Sequence, residues 1–75
     1  SGSTIGENCI LNTQCLIEHD SEIEDHCHVS TGAILNGNTY LGEGSFVGSG
    51  AVIENGARID KGAVISANSF VPRKR

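Results

Sequence analysis

Seventy-five residues, with 37% hydrophobic side chains, three aromatics and a formal net charge of −4, make one small domain near the size at which a lone core just sustains folding. Residues 1–43 carry seven acids and no Lys or Arg, and all five basic residues, Arg58, Lys61, Arg73, Lys74 and Arg75, fall in the last eighteen positions. That distribution excludes a nucleic-acid partner, which needs a basic face along the domain, and no apolar run reaches the length of a membrane span or reads as a signal segment.

Ser1–Gly2–Ser3 resembles a cloning remnant, yet Ser3 keeps the phase of the downstream repeat. From Ile5 onward an aliphatic residue recurs at every sixth position: Ile5, Leu11, Ile17, Ile23, Val29, Leu35, Leu41, Val47, Ile53, Ile59, Ile65 and Val71. Four residues after each but the last stands a small side chain, from Cys9, Cys15, Ser21 and Cys27 through Ala33, Thr39 and Ser45 to Ala51, Ala57, Ala63 and Ser69. A helix repeats every 3.6 residues and a simple strand every two. A six-residue period marks a parallel β-helix of stacked short strands.

The fourth position of each hexapeptide reads Asn8, Gln14, Asp20, His26, Gly32, Asn38, Gly44, Gly50, Gly56, Gly62 and Asn68. Gly, Asn, Asp and His tolerate left-handed backbone angles best, so a corner is predicted after every strand. Three corners close a triangle; one coil takes eighteen residues and the chain makes about four coils.

The first coil places Thr4, Ile10 and Leu16 outward, one on each face, because each precedes an aliphatic inward residue. It also carries Asn12 outward on the second face, and His19 and Asp20 at the corner after the third. The second coil shows Glu22, His28 and Ile34, with His26 at a corner and Gly37 as the one glycine at a third position. Directly above His19 in the stack comes Gly37, then Asn55 and Arg73. The third coil shows Tyr40, Phe46 and Val52, and the fourth Arg58, Val64 and Phe70. At the corner after the second face the third positions are Thr13, Thr31, Ser49 and Ala67, all small. These columns describe an uncluttered track from a histidine towards the basic end, suited to a long thin cofactor with phosphates at its far end.

The second and third faces are apolar apart from His28, which implies burial against copies of the same chain. Two faces used for two neighbours close a ring, and a three-sided prism suggests a trimer. His19 and His28 lie on different sides of one prism, so they are expected to meet only across a subunit boundary. The unpaired strand edges at the coil ends lead to the expectation of a segment from a longer protein. The three cysteines, all at the inward small position, read as core filler and reduced thiols of a cytoplasmic protein. Cys9 and Cys27 stack on adjacent coils at about 4.8 Å, within reach of a bridge.

The stretch LNTQCLIEHDSEIEDHCHVSTGAILNGNTYLGEGSFVGSGAVI resembles the hexapeptide acyltransferases that acetylate sugars, in particular the sialic-acid O-acetyltransferase and UDP-amino-sugar N-acetyltransferase branch. The resemblance covers nearly the whole chain; its NT, EHD and HVS elements are far more specific than the bare repeat. It implies an all-β fold of left-handed parallel β-helix type across residues 1–75, a homotrimer, acetyl-CoA as donor and a sugar or nucleotide sugar as acceptor. By that resemblance His19 is the general base, Asp20 the carboxylate that orients it, and Asn12 an acceptor-binding group. His28 stands near the acetyl thioester, and Gly37 presents its N–H to the acetyl oxygen. Ser49 and Ala67 line the cofactor track.

Two other readings stand beside this one. Full members of that branch usually carry a sugar-recognition domain as well, and a second expectation is an inactive trimeric β-helix module or excised fragment serving only in assembly. Some left-handed β-helix trimers are zinc-dependent carbonic anhydrases, but His26, Cys27 and His28 alternate in direction along a strand and do not converge as tetrahedral ligands.

Overall fold

The computed structural model describes residues 2–74, and within them twelve two-residue strands run from Thr4 to Val71. Ser1 of the remnant and Arg75 of the basic group lie outside the described residues. The first coil holds β1 (Thr4–Ile5), β2 (Ile10–Leu11) and β3 (Leu16–Ile17), and the second β4 (Glu22–Ile23), β5 (His28–Val29) and β6 (Ile34–Leu35). The third holds β7 (Tyr40–Leu41), β8 (Phe46–Val47) and β9 (Val52–Ile53), and the fourth β10 (Arg58–Ile59), β11 (Val64–Ile65) and β12 (Phe70–Val71).

Each strand pairs in parallel with the strand eighteen residues on, as Ile5 with Ile23 and Leu16 with Ile34. Three four-stranded sheets result, ordered β1-β4-β7-β10, β2-β5-β8-β11 and β3-β6-β9-β12. The N–H groups of each coil donate to carbonyls of the next, for example Thr4 to Ser21 at 3.0 Å and Ile10 to Cys27 at 2.9 Å. The chain is thus an all-β parallel solenoid of about four turns, consistent with the left-handed coil that the resemblance implies.

The corners fall where the sequence puts them. Every fourth position from Gly2 to Asn68 has a positive φ, between 56° and 81°. Six of these residues are not glycine: Asn8, Gln14, Asp20, His26, Asn38 and Asn68. Gln14, at φ 63°, lacks the short polar side chain that eases such a backbone.

The interior is a column of aliphatic side chains. Ile23, Val29, Leu35, Leu41, Val47 and Ile53 are at most 2% exposed, and each such burial contributes roughly 1.5–3 kcal/mol. The first coil is open beneath: Ile5 remains 48% exposed and Leu11 38%. Between the coils runs a ladder of hydroxyls that the repeat pattern recorded only as small residues. Ser21 Oγ meets Thr39 Oγ1 at 3.1 Å, and the Ser21 N–H donates to Ser3 Oγ, whose own hydroxyl donates to the Glu18 carbonyl. Ser3 is therefore built into the stack. Cys9, Cys15 and Cys27 are free, and the Cys9 and Cys27 thiols donate to the carbonyls of Glu24 and Gly42. Burial pushes the Cys27 thiol up from its ordinary pKa.

The three outer faces differ as expected. On the first, the Arg58 guanidinium sits 4.3 Å from the Tyr40 ring centre. Desolvation and Glu24 together raise the Tyr40 hydroxyl pKa, against the opposing pull of Arg58. The second and third faces leave Ile10, Leu16, Phe46, Val64 and Phe70 exposed.

Candidate functional site

His19 immediately follows the strand β3–corner boundary, at the third position of its hexapeptide, and Asp20 takes the left-handed turn at φ 58°. That turn swings the carboxylate back beside the imidazole, with His19 Nδ1 and Asp20 Oδ2 3.3 Å apart. Both side chains are more than half exposed, so the pair orients the ring rather than adding much stability. With the Nδ1–H donated to Asp20, the lone pair sits on Nε2.

Nε2 faces Gly37. The Asn38 N–H donates to the His19 carbonyl and the Gly56 N–H to the Gly37 carbonyl, both at 3.0 Å, which stacks His19, Gly37 and Asn55 in register along one corner. A Cβ at Gly37 would lie 2.7 Å from His19 Nε2 and 3.2 Å from Asn55 Nδ2. The ring occupies space that any side chain at 37 would claim. Gly37 has no positive φ, so close approach, not backbone conformation, is what requires glycine there.

Amides at this corner position point out of the ladder. The Glu7 N–H donates to the Asp25 carboxylate at 2.8 Å, and the Arg73 N–H to the Glu54 carboxylate. The Gly37 N–H likewise takes no part in the coil-to-coil backbone bonds. Gly37 itself is buried, packed against the His19 imidazole.

His28 lies in β5 on the second sheet, half-buried, with Nε2 accepting from Asn12 Nδ2 at 3.2 Å. Its ring centre is 5.0 Å from that of Phe46, tilted by 58°. The sequence placed Asn12 and His28 on one face but did not foresee that they touch. Adjacent coils bring them together because Asn12 follows β2, the strand that pairs with β5.

Ser49 and Ala67 are exposed at the corner after the second sheet, stacked with Thr13 and Thr31 by bonds such as Asn68 N–H to the Ser49 carbonyl at 2.9 Å. Within one chain the structure therefore holds two groups: His19, Asp20, Gly37 and Asn55 on one corner, and Asn12, His28, Ser49 and Ala67 around another face. A concavity of about 540 Å³ lies apart from both. It is floored by Ile59, Ile65 and Val71 and bordered by Arg58, Arg73 and Lys74, the open end of the core column. Among the described residues no three His, Cys, Asp or Glu side chains gather as a metal cage.

The family model for bacterial transferase hexapeptide (six repeats) matches residues 2–37 and again residues 38–73. The chain belongs to that family. Each match of this hexapeptide-repeat protein spans two coils, and the boundary falls between Gly37 and Asn38, so the fold and the family repeat share one phase. No curated protein matches the chain, and no solved structure does. Among the described residues no helix is long and apolar enough to cross a membrane.

Proposed function

We propose that this hexapeptide-repeat protein is a cytoplasmic acetyltransferase that moves an acetyl group from acetyl-CoA to a hydroxyl or amine of a sugar or nucleotide sugar, as a homotrimer. Membership of a transferase family whose members generally use acyl-CoA donors supports the reaction class. The resemblance to the sialic-acid O-acetyltransferase and UDP-amino-sugar N-acetyltransferase branch supports the donor and acceptor. The observation that carries the reading is local: His19 is held at Nδ1 by Asp20 and presents Nε2 over a residue without a side chain, whose N–H takes no part in the coil-to-coil backbone bonds.

In this mechanism His19 Nε2 takes the proton from the acceptor hydroxyl or amine as it attacks the thioester carbonyl. A new O–C or N–C bond forms, the C–S bond breaks, and the proton passes from His19 to the departing sulfur. Gly37 N–H donates to the carbonyl oxygen, where negative charge develops. His28, held by Asn12, comes from the neighbouring subunit to contact the thioester, and Asn12 reaches the acceptor. Ser49 and Ala67 leave the track clear for the pantetheine arm, with Arg73 and Lys74 near the phosphates. All of residues 1–75 serve as one β-helix domain in this scheme.

The test is thiol release and acetyl transfer with acetyl-CoA and a panel of sugars and nucleotide sugars. Transfer by the wild type that vanishes in His19→Ala, and binding that weakens in His28→Ala, are the expected results. No saturable acetyl-CoA binding at about millimolar concentration, the weak end of specific affinity, would leave the assembly-module reading in its place.

A further inference from the structure

After His19, Asn55 is the side chain that a Cβ at Gly37 would approach most closely. It stands one coil above Gly37 while His19 stands one coil below, and both reach over the glycine from opposite sides. Its amide is exposed at the corner, and its Nδ2 lies 3.2 Å from the point where a Gly37 Cβ would sit. The column of third positions otherwise offers His19 below, whose N–H is directed to Asp20, and Arg73 above, which is charged.

We infer that Asn55 is a catalytic residue of this site, donating its side-chain N–H to the acyl oxygen together with the Gly37 backbone N–H. The inference rests on the acyltransferase reading of His19 and Gly37. When the acceptor adds to the thioester, the carbonyl π pair moves onto oxygen; when the C–S bond breaks, that pair returns and the thiolate leaves with the proton relayed by His19. One backbone donor cannot fill both lone-pair directions of that oxygen, and two preorganised donors stabilise it better than one. A neutral amide suits this role because it donates without competing for the His19 proton, and its stem is too short to displace the imidazole.

The measurement compares wild type, Asn55→Ala and Asn55→Asp, with His19→Ala as reference, on the folded protein with acetyl-CoA. If Asn55 donates to the oxyanion, Asn55→Ala lowers kcat by about 100-fold with little change in KM, the size of one lost donor. Asn55→Asp then falls further, because a carboxylate of similar shape repels the developing charge. Equal activity in Asn55→Asp and wild type overturns the role, whereas loss shared equally between Asn55→Ala and Asn55→Asp marks a packing role and overturns it too. A second readout is independent of turnover: the ¹³C carbonyl resonance of bound, labelled acetyl-CoA moves downfield in wild type and less in Asn55→Ala. An unmoved resonance in the wild type overturns the donor role while His19-dependent transfer survives. If transfer does not depend on His19, the base assignment itself fails and Asn55 falls with it.

Discussion

A single hydrogen atom at position 37 separates a seated imidazole from a displaced one. A Cβ there would stand 2.7 Å from His19 Nε2 and 2.8 Å from Cε1, closer than carbon and nitrogen pack. Gly37→Ala should therefore fold normally, since its backbone angle suits alanine, yet push the ring off line. We expect at least about a 100-fold loss in kcat/KM, the cost of roughly an ångström of misplacement, with an unchanged circular dichroism spectrum. Gln14 illustrates the opposite situation, a residue kept at a corner that its chemistry does not favour. Its φ of 63° carries the penalty of a left-handed backbone without the local hydrogen bonding that Asn or Asp provides. Gln14→Gly should raise stability by about 0.5–1 kcal/mol, the left-handed strain relieved less the added chain entropy of glycine, read as a higher denaturation midpoint.

Strands of two residues cannot stand alone, and what holds each one is the coil above and below. Leu41 in β7 is enclosed on both sides and fully buried, whereas Ile5 in β1 has a coil on one side only and stays 48% exposed. The same inward position therefore carries different weight along the stack. Leu41→Ala should cost about 3 kcal/mol, since the rigid column cannot close over the lost volume. Ile5→Ala should cost about 1 kcal/mol, because only about half of that side chain leaves water on folding. Chemical denaturation of both variants checks the contrast; equal costs would mean that the column is not the stabilising element. The hydroxyls of Ser21, Thr39 and Ser45 add the polar half of the stack. Each is buried and bonded to a backbone carbonyl or to a neighbouring hydroxyl, which keeps register without an unpaired group.

The prism as a whole has one wet face and two apolar ones. Ile10, Leu16, Phe46, Val64 and Phe70 are exposed on the second and third faces, while the first carries Glu22 and Arg58. A patch of that extent on so small a molecule is expected to be covered by neighbours. On the trimer reading, Ile34→Asp, placed in the middle of the third face, should shift sedimentation from a three-chain to a one-chain particle. The monomer should keep its β spectrum and lose transfer, because His19 and His28 sit on different faces and need a second chain to meet. A variant that stays assembled, or wild type that sediments as a monomer, would count against the intersubunit site.

Period, corner positions and inward series were legible in the sequence because each is a local demand repeated twelve times: an aliphatic inside, a tolerant residue at the turn. Stacking by eighteen then followed arithmetically, so the His19–Gly37–Asn55 column and the apolar faces follow from residue numbers alone. Contacts made by side-chain rotation were not local demands. The approach of Asp20 to Nδ1, the fit of the ring over Gly37, the Asn12–His28 bond and the hydroxyl ladder depend on how neighbouring coils fill shared space. Only the packed tertiary structure decides those, because each is set by a partner some eighteen residues away or by the turn that aims the side chain, and not by the repeat itself.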